Sequence, residues 1–239
     1  MGKKTDNHHK YYINDEGEHV MRVSDVIKLV AKEQLMVWAN MLGFKGISYR
    51  KELERTANIG SLCHSVIEMY FNKNCLAVVD YDEFNIEYYG DKLEVRRALD
   101  SFFVWLKKFL KIRTYNVKFT ELVVVGKNLG GTIDCGIDGW KDPEKAIFVD
   151  YKTSGDFYLT QFLQLAGYVS LYEEKYGPKS VEGVMVVLLS KKENVPARAR
   201  FISRKNLEPF ILCFQCLYDS AVGVHLLTTN LRELSELID

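Results

Sequence analysis

Charge of one sign is what this chain most obviously lacks. Its 239 residues carry 32 Lys and Arg against 32 Asp and Glu, a formal net charge of zero. Bulk attraction to a polyanion is therefore excluded, and any nucleic-acid contact has to come from a local cluster of cations. Cysteine is scarce, with five irregularly spaced residues. That suits a reducing cytoplasm and no disulfide framework. No apolar run approaches membrane-spanning length. No apolar stretch follows Lys3-Lys4 as a secretion signal requires, and Gly2 lacks the downstream Ser/Thr that N-myristoylation prefers. The expectation is a chain without a membrane partner. Internal repeats, low-complexity linkers and helicase motifs are missing too, so no use of ATP is expected. Against these absences stand 47% apolar and 27% charged residues, ordinary for a globular protein. The length predicts one domain over 1–239, with the polar residues 1–10 disordered.

The chemistry concentrates between Gly131 and Lys152. Gly131-Thr132-Ile133-Asp134 and Ile147-Phe148-Val149-Asp150-Tyr151-Lys152 both have the β-branched, alternating character of strands. Gly139-Trp140-Lys141-Asp142-Pro143-Glu144 between them has the residues of a turn. The prediction is a hairpin with Asp134 on one strand and Asp150 on the other. Strand side chains alternate, so Asp150 and Lys152 face one way and Ile147, Val149 and Tyr151 the other. Two carboxylates and an ammonium on an apolar hairpin are costly to desolvate unless a ligand compensates. Hard oxygen donors suit magnesium or manganese.

Around that hairpin the periodicities predict helices and further strands. A small hairpin at Tyr11–Val23 leads to a helix capped by Ser24, with Val26, Ile27, Val30, Val37, Trp38 and Met41 at helical spacing, closed by Gly43 and Gly46. Arg50 to Asn72 is a second helix. Ile59, Cys63, Val66 and Tyr70 form its apolar stripe, and Gly60, His64, Glu68 and Phe71 the neighbouring one. Residues 74–90 have the acidic, irregular character of a surface insertion. A third helix from Asp91 to Ile112 carries Arg96, Arg97, Lys107, Lys108 and Lys111 on its far side. Tyr115–Val125 is a strand in which Glu121 is in phase with Val117, Phe119, Val123 and Val125. A carboxylate there pairs with a lysine, lies at the strand end, or belongs to the acidic site. Asp156–Tyr176 is a helix with Gln161, Gln164 and Tyr168 on one face. Gly183–Leu189 is a strand buried on both faces. Ala197–Ser203 brings Arg198 and Arg200 to one side, joined by Arg204 and Lys205, the densest basic cluster. A closing apolar helix covers Leu207–Leu227, with Cys213 and Cys216 on a buried face. Helices alternating with strands predict an α/β fold, a central mixed β-sheet flanked by helices, with a helical N-terminal part.

At this point the residues resemble a family. Gly131-x-x-Asp134 followed by Asp150-x-Lys152 resembles the core motif of the PD-(D/E)XK nuclease superfamily. Gly60-x-x-x-His64 and Gln164-x-x-x-Tyr168 are similar to the flanking helix motifs of its RecB-type exonuclease branch, in the same order. The match runs from Ser24 to about Tyr168, with spacing similar to phage exonucleases and the mitochondrial genome maintenance exonuclease. The resemblance implies a restriction-endonuclease-like core and a metal-dependent DNA exonuclease acting on single-stranded or end-exposed DNA. His64, Asp134, Asp150 and the Tyr151 carbonyl would hold Mg²⁺ or Mn²⁺. Lys152 would act in catalysis beside Asp134 and Asp150. Gln164 and Tyr168 would contact DNA, with Arg198 and Arg200 a candidate phosphate patch. Glu68 and Glu121 are further candidates. DNA is the expected partner, along with phage or host replication and recombination proteins, inside the host cell if the chain is phage-encoded. Some RecB-type relatives hold an iron–sulfur cluster through one upstream and three C-terminal cysteines. Only Cys213 and Cys216 are present here, so small core cysteines are the expectation. A structure-specific DNA or RNA endonuclease and a non-catalytic binding module stay open beside the exonuclease.

Overall fold

The computed structural model describes residues 12–30, 32–73, 86, 88–112 and 115–236. The tail expected to be disordered and most of the acidic insertion lie outside the described residues. Strands β1 (Tyr12–Ile13) and β2 (His19–Arg22) form the N-terminal hairpin, turning through Gly17 at φ +84°. Three helical pieces follow: α1 (Val23–Ile27), α2 (Lys32–Phe44) and the long α3 (Tyr49–Lys73). After α4 (Tyr89–Ile112) come β3 (Val117–Val125), β4 (Leu129–Asp138) and β5 (Ala146–Lys152), the last two joined by the expected turn. Helix α5 (Leu159–Tyr176), β6 (Val181–Leu188), β7 (Arg198–Ser203) and α6 (Arg204–Glu236) complete the order.

The strands make one mixed sheet, ordered β1-β2-β4-β5-β6-β7, with β3 also paired to β4. β2–β4 and β5–β6 are parallel, and β1–β2, β3–β4, β4–β5 and β6–β7 antiparallel. Strand β5 shows why the sheet has helices on both faces. Its burial is continuous from Ala146 to Tyr151, as a central strand requires. Phe148 packs with α1, α5 and α6 through Val26, Leu165 and Phe214. Ile147, Val149 and Tyr151 pack with α3 and α4 through Cys63, Val66 and Phe102. The alternation expected for β5 holds.

Elsewhere the local readings needed correction. Ser24 lies inside α1, not before it; Arg22 takes the cap position and its guanidinium grips Asp25 at 2.6 Å. The single helix expected from Ser24 is two, separated by a turn at 28–30. Val37 and Met41 on α2 are exposed rather than inward, because a helical period reports amphipathicity without naming what covers the apolar side. Strict alternation fails on β3. The register shifts between Val117 and Phe119, and Glu121 has φ +46°. As a result Phe119, Leu122 and Val124 pack on one side of the sheet and Val117 on the other. Cys213 and Cys216 are exposed on α6, not buried; among the described side chains of that helix the buried ones are Leu207, Phe214 and Ala221, spaced by whole helical turns. The stretch Arg204–Val224 is also one helix long and apolar enough, by length and composition, to cross a membrane. Lys205, Glu208 and Asp219 interrupt it, so it is not a charge-free run in the sequence.

Candidate active site

A strand has two edges, and β4 shares one of them between two neighbours. β3 occupies the first edge from Gly130 to Ile137. The second edge pairs with β2 at Leu129 and Gly130 and with β5 from Cys135 to Asp138. Between these pairings, Gly131 to Asp134 face a gap, and β5 beyond Val149 has left β4. The ladder that would continue to Asp134 and Asp150 is thus opened at those two residues. The Tyr151 N–H in this gap donates to Asp134 Oδ2 at 3.2 Å in place of a main-chain carbonyl. The chain reverses its facing here too, since Ile133 packs on the α5 side and Cys135 on the α3 side. Directly across on β3 sits Glu121 in the left-handed region, a conformation that costs a non-glycine residue about 1–3 kcal/mol.

The gap collects the side chains that the sequence singled out. From α3, His64 Nδ1 lies 3.2 Å from Asp134 Oδ2. From β5, Lys152 Nζ donates to Asp150 Oδ1 at 2.8 Å. Asp150 is 2% exposed, and its Oδ2 has no hydrogen-bond partner. A buried carboxylate oxygen without a donor is rare and costly. His64, Glu121 and Asp134 each present a ligand atom within 4.8 Å of the others. Asp150 does not join that group. A cavity of about 10 Å³, room for one water or ion, is lined by His64, Glu68, Glu121, Asp134 and the aromatic wall of Phe71 and Tyr151. The donors are carboxylate and imidazole, and the buried Asp150 Oδ2 lacks a donor, so the residues present fit a hard divalent ion.

The electrostatics follow from crowding. Burial opposes the charge of Asp134, but the His64 and Lys152 cations and the Tyr151 N–H hold its carboxyl below the usual range. For Asp150 burial wins over Lys152, and the repulsion of Asp134 adds to it, so its pKa is raised. His64 and Lys152 are both raised, because the carboxylates beside them outweigh burial. Lys152 is held as a cation by the carboxylates beside it.

Helix α5 closes the opening. Gln164 Nε2 donates to the Tyr168 hydroxyl at 2.9 Å. The Tyr168 ring covers Gly131, where an added Cβ would sit 2.5 Å from Cε1. Its phenol is pushed up by burial and then by Asp134 and Asp150, so it stays protonated near the acidic pair. Gln161, grouped with these two in the sequence, is buried and differently engaged. It accepts from the Tyr158 N–H at 3.0 Å and donates to Ser154 Oγ at 2.9 Å, fixing the loop after Lys152. The basic cluster divides. Arg200 and Arg198 lie over the Phe157 ring at 4.6 and 5.5 Å, and Arg198 donates to the Gly155 carbonyl at 3.1 Å. Arg204 instead grips Glu173 at 2.9 Å and Glu208 at 2.6 Å, which removes it from the exposed patch. Two features had no signal in the sequence: the left-handed Glu121 and the gap in β4. Both are long-range consequences of pairing.

A mixed sheet opened at Asp134 and Asp150, with a lysine two residues on and helices on both faces, defines the restriction-endonuclease-like class of phosphodiester hydrolases. The family model of the PD-(D/E)XK nuclease superfamily matches residues 41–210, and the chain belongs to that superfamily. Its members are nucleases that use divalent metal ions. No curated protein matches the chain. Among solved structures, one titled "Crystal structure of SSO0001" aligns at 16% identity and a TM-score of 0.32, over 71% of this chain and 74% of that one. That likeness is too loose to bear on function.

Proposed function

We propose that this protein is a Mg²⁺- or Mn²⁺-dependent DNA exonuclease of the RecB-type branch, acting on single-stranded or end-exposed DNA. The observation that carries the reading is the unpartnered, buried Oδ2 of Asp150 beside Asp134, His64 and Lys152. His64, Asp134, Asp150 and the Tyr151 carbonyl would hold the ion, with Glu121 added by its place in the 4.8 Å group. A divalent ion bound there supplies Lewis acidity toward water and the scissile phosphate. Lys152 Nζ orients the attacking water and donates to the phosphoryl oxygens as negative charge builds on them. Water oxygen joins phosphorus, the P–O3′ bond breaks, and the 3′ oxygen takes a proton, leaving 5′-phosphate and 3′-hydroxyl ends. Gln164 and Tyr168 orient the strand. Arg198 and Arg200, over the Phe157 ring, guide phosphates toward the gap.

The decisive comparison is end-labelled linear DNA against covalently closed circles, single- and double-stranded, with Mg²⁺, Mn²⁺ or EDTA. Linear DNA is expected to be degraded, closed circles to resist, and EDTA to stop all cleavage. Efficient nicking of closed circles would make the protein an endonuclease.

Metal binding is expected to depend on pH through His64. The imidazole must lose its proton to ligate, and Asp134 raises its pKa above 6.5. In the metal-free protein, the stabilisation from protonated His64 is fully present below pH 6.5 and fades as pH rises through the raised value. Metal competes for the deprotonated form, so Mn²⁺ affinity should weaken as pH falls from about 8 toward 6. Calorimetric titration should show this trend, and His64→Ala should bind more weakly with a flatter pH dependence. An unchanged affinity in His64→Ala would remove it from the ligand set.

A further inference from the structure

A second site-sized feature lies apart from the carboxylates. Helix α4 and the loop between β6 and β7 enclose a cleft of about 540 Å³, within the range of small-ligand sites. Its floor is built, not incidental. Ser101 of α4 is 4% exposed, donates to the Ala98 carbonyl at 2.7 Å and accepts from the Ser190 N–H at 2.8 Å. The Ala197 N–H closes the other end of the loop on the Ser101 carbonyl at 3.3 Å. The loop turns back through Asn194 at φ +56°. Arg97 ties the loop to the helix by donating to Glu193 at 3.0 Å.

The lining is cationic on a chain that is neutral overall. Arg96, Arg97, Lys108 and Lys192 face Asp100 and Glu193 across the cleft. The two acids are matched to the two arginines, Arg96 to Asp100 at 4.0 Å and Arg97 to Glu193 at 3.0 Å. Among the described residues, no carboxylate forms an ion pair with Lys108 or Lys192. Both lysines are exposed. Val104, Val195 and Pro196 add an apolar wall. Two unmatched ammonium groups beside an apolar wall suit a phosphate joined to a sugar and base.

The cleft is also wired to the opened strands. The Leu189 N–H, at the start of the loop, donates to the main-chain carbonyl of Lys152 at 2.7 Å. Lys191 pairs with Glu94 at 3.3 Å, and Glu94 with Arg55 of α3 at 3.3 Å, the helix that carries His64. Loop, α4 and α3 therefore hold the cleft at a fixed offset from the catalytic end of β5.

We propose that the cleft between α4 and the 191–196 loop is a second phosphate-binding site for a single nucleic-acid strand, in which Lys108 and Lys192 contact the backbone and Val104, Val195 and Pro196 contact sugar or base. The inference rests on the nuclease reading above and adds to it where the strand runs outside the catalytic gap. It gives a neutral protein a local cationic track that does not depend on Arg198 and Arg200.

The test is fluorescence anisotropy of a short labelled single-stranded oligonucleotide at several salt concentrations, with Ca²⁺ to suppress cleavage. Lys108→Ala/Lys192→Ala should weaken binding about tenfold or more, and lower the salt slope by roughly 1.4, at about 0.7 per phosphate contact on a single strand. Glu193→Gln, which removes a carboxylate from the lining, should tighten binding. Both lysines are exposed, so thermal melting should confirm an unaltered fold. If the double variant binds with unchanged affinity and slope while the wild type degrades DNA, the cleft assignment fails and the nuclease reading stands. If the wild type neither binds single strands nor cuts any nucleic acid with Mg²⁺ or Mn²⁺, both fail.

Discussion

Lys152→Ala is expected to lower the rate of DNA cleavage by about a hundredfold or more while leaving Mn²⁺ affinity intact. The size is that of a lost transition-state donor. The separation of rate from affinity follows from the geometry. Lys152 Nζ contacts only one oxygen of Asp150, Oδ1 at 2.8 Å, and the other oxygen is the one without a partner. Removing the ammonium frees a ligand atom and takes none away. In the metal-free protein the same change leaves the Asp150 carboxylate buried with less compensation, so its already raised pKa should rise further. A group with a raised carboxyl pKa favours folding below its unfolded value, and that advantage is lost as pH rises through the folded one. The metal-free variant should accordingly melt lower relative to wild type at pH 8 than at pH 4. Asp150→Ala is expected to lose both rate and metal affinity. A Lys152→Ala protein that cuts at the wild-type rate would end the assignment of Lys152 to phosphate chemistry.

The parts of this site that the sequence disclosed are those set by short-range periodicity. Asp150 and Lys152 are two residues apart on a strand, and the structure keeps them on one face, in contact. His64 is one helical turn from Gly60, and it does reach Asp134. The buried run Gly183–Leu189 does become a central strand. What stayed hidden depends on which edge meets which edge. Glu121 was expected to follow the phase of Val117 and Phe119, but the register shift and its left-handed turn break that phase. Its carboxylate reaches His64 and Asp134 for that reason. Charge shows the same division. Arg198, Arg200, Arg204 and Lys205 cluster in sequence, yet Glu173, thirty-one residues before Arg204, takes the third of them out of the group. Conversely Lys108 and Lys192 are far apart in the chain and line one cleft because Ser101, Arg97 and Glu94 tie the loop to α4. Similarly, the apolar spacing of α6 did not say which side is covered, and Cys213 and Cys216 fall on the uncovered one.

Phe102→Ala is expected to cost about 3–5 kcal/mol in stability while leaving every candidate catalytic group in place. Phe102 is fully buried on the inner side of α4. Its ring meets Phe71 of α3 at 6.1 Å, Trp105 of its own helix at 6.0 Å, and Tyr151 of β5 at 5.5 Å, edge to face with Phe71 and Tyr151. It is therefore the side chain through which both helices of this layer bear on the strand between Asp150 and Lys152. Truncation opens a cavity that three separate elements would have to move to fill, and the rings around it lose contacts that helix and strand cannot restore by small shifts. Set against a domain stability of about 5–15 kcal/mol, the loss is a large fraction of the whole. At this chain length it corresponds to a fall in Tm of about 6–20 °C. The Tyr151 ring also stands 6.2 Å from His64, so the loosened wall should weaken Mn²⁺ binding even at temperatures where the variant remains folded. Phe102→Leu keeps most of the volume and should lose distinctly less on both measures. Thermal and urea unfolding followed by circular dichroism, with Mn²⁺ titration of the folded variants, gives both readings. A loss below about 1 kcal/mol for Phe102→Ala would mean that α4 does not press on β5 through this ring, and that the carboxylates are held by the sheet alone.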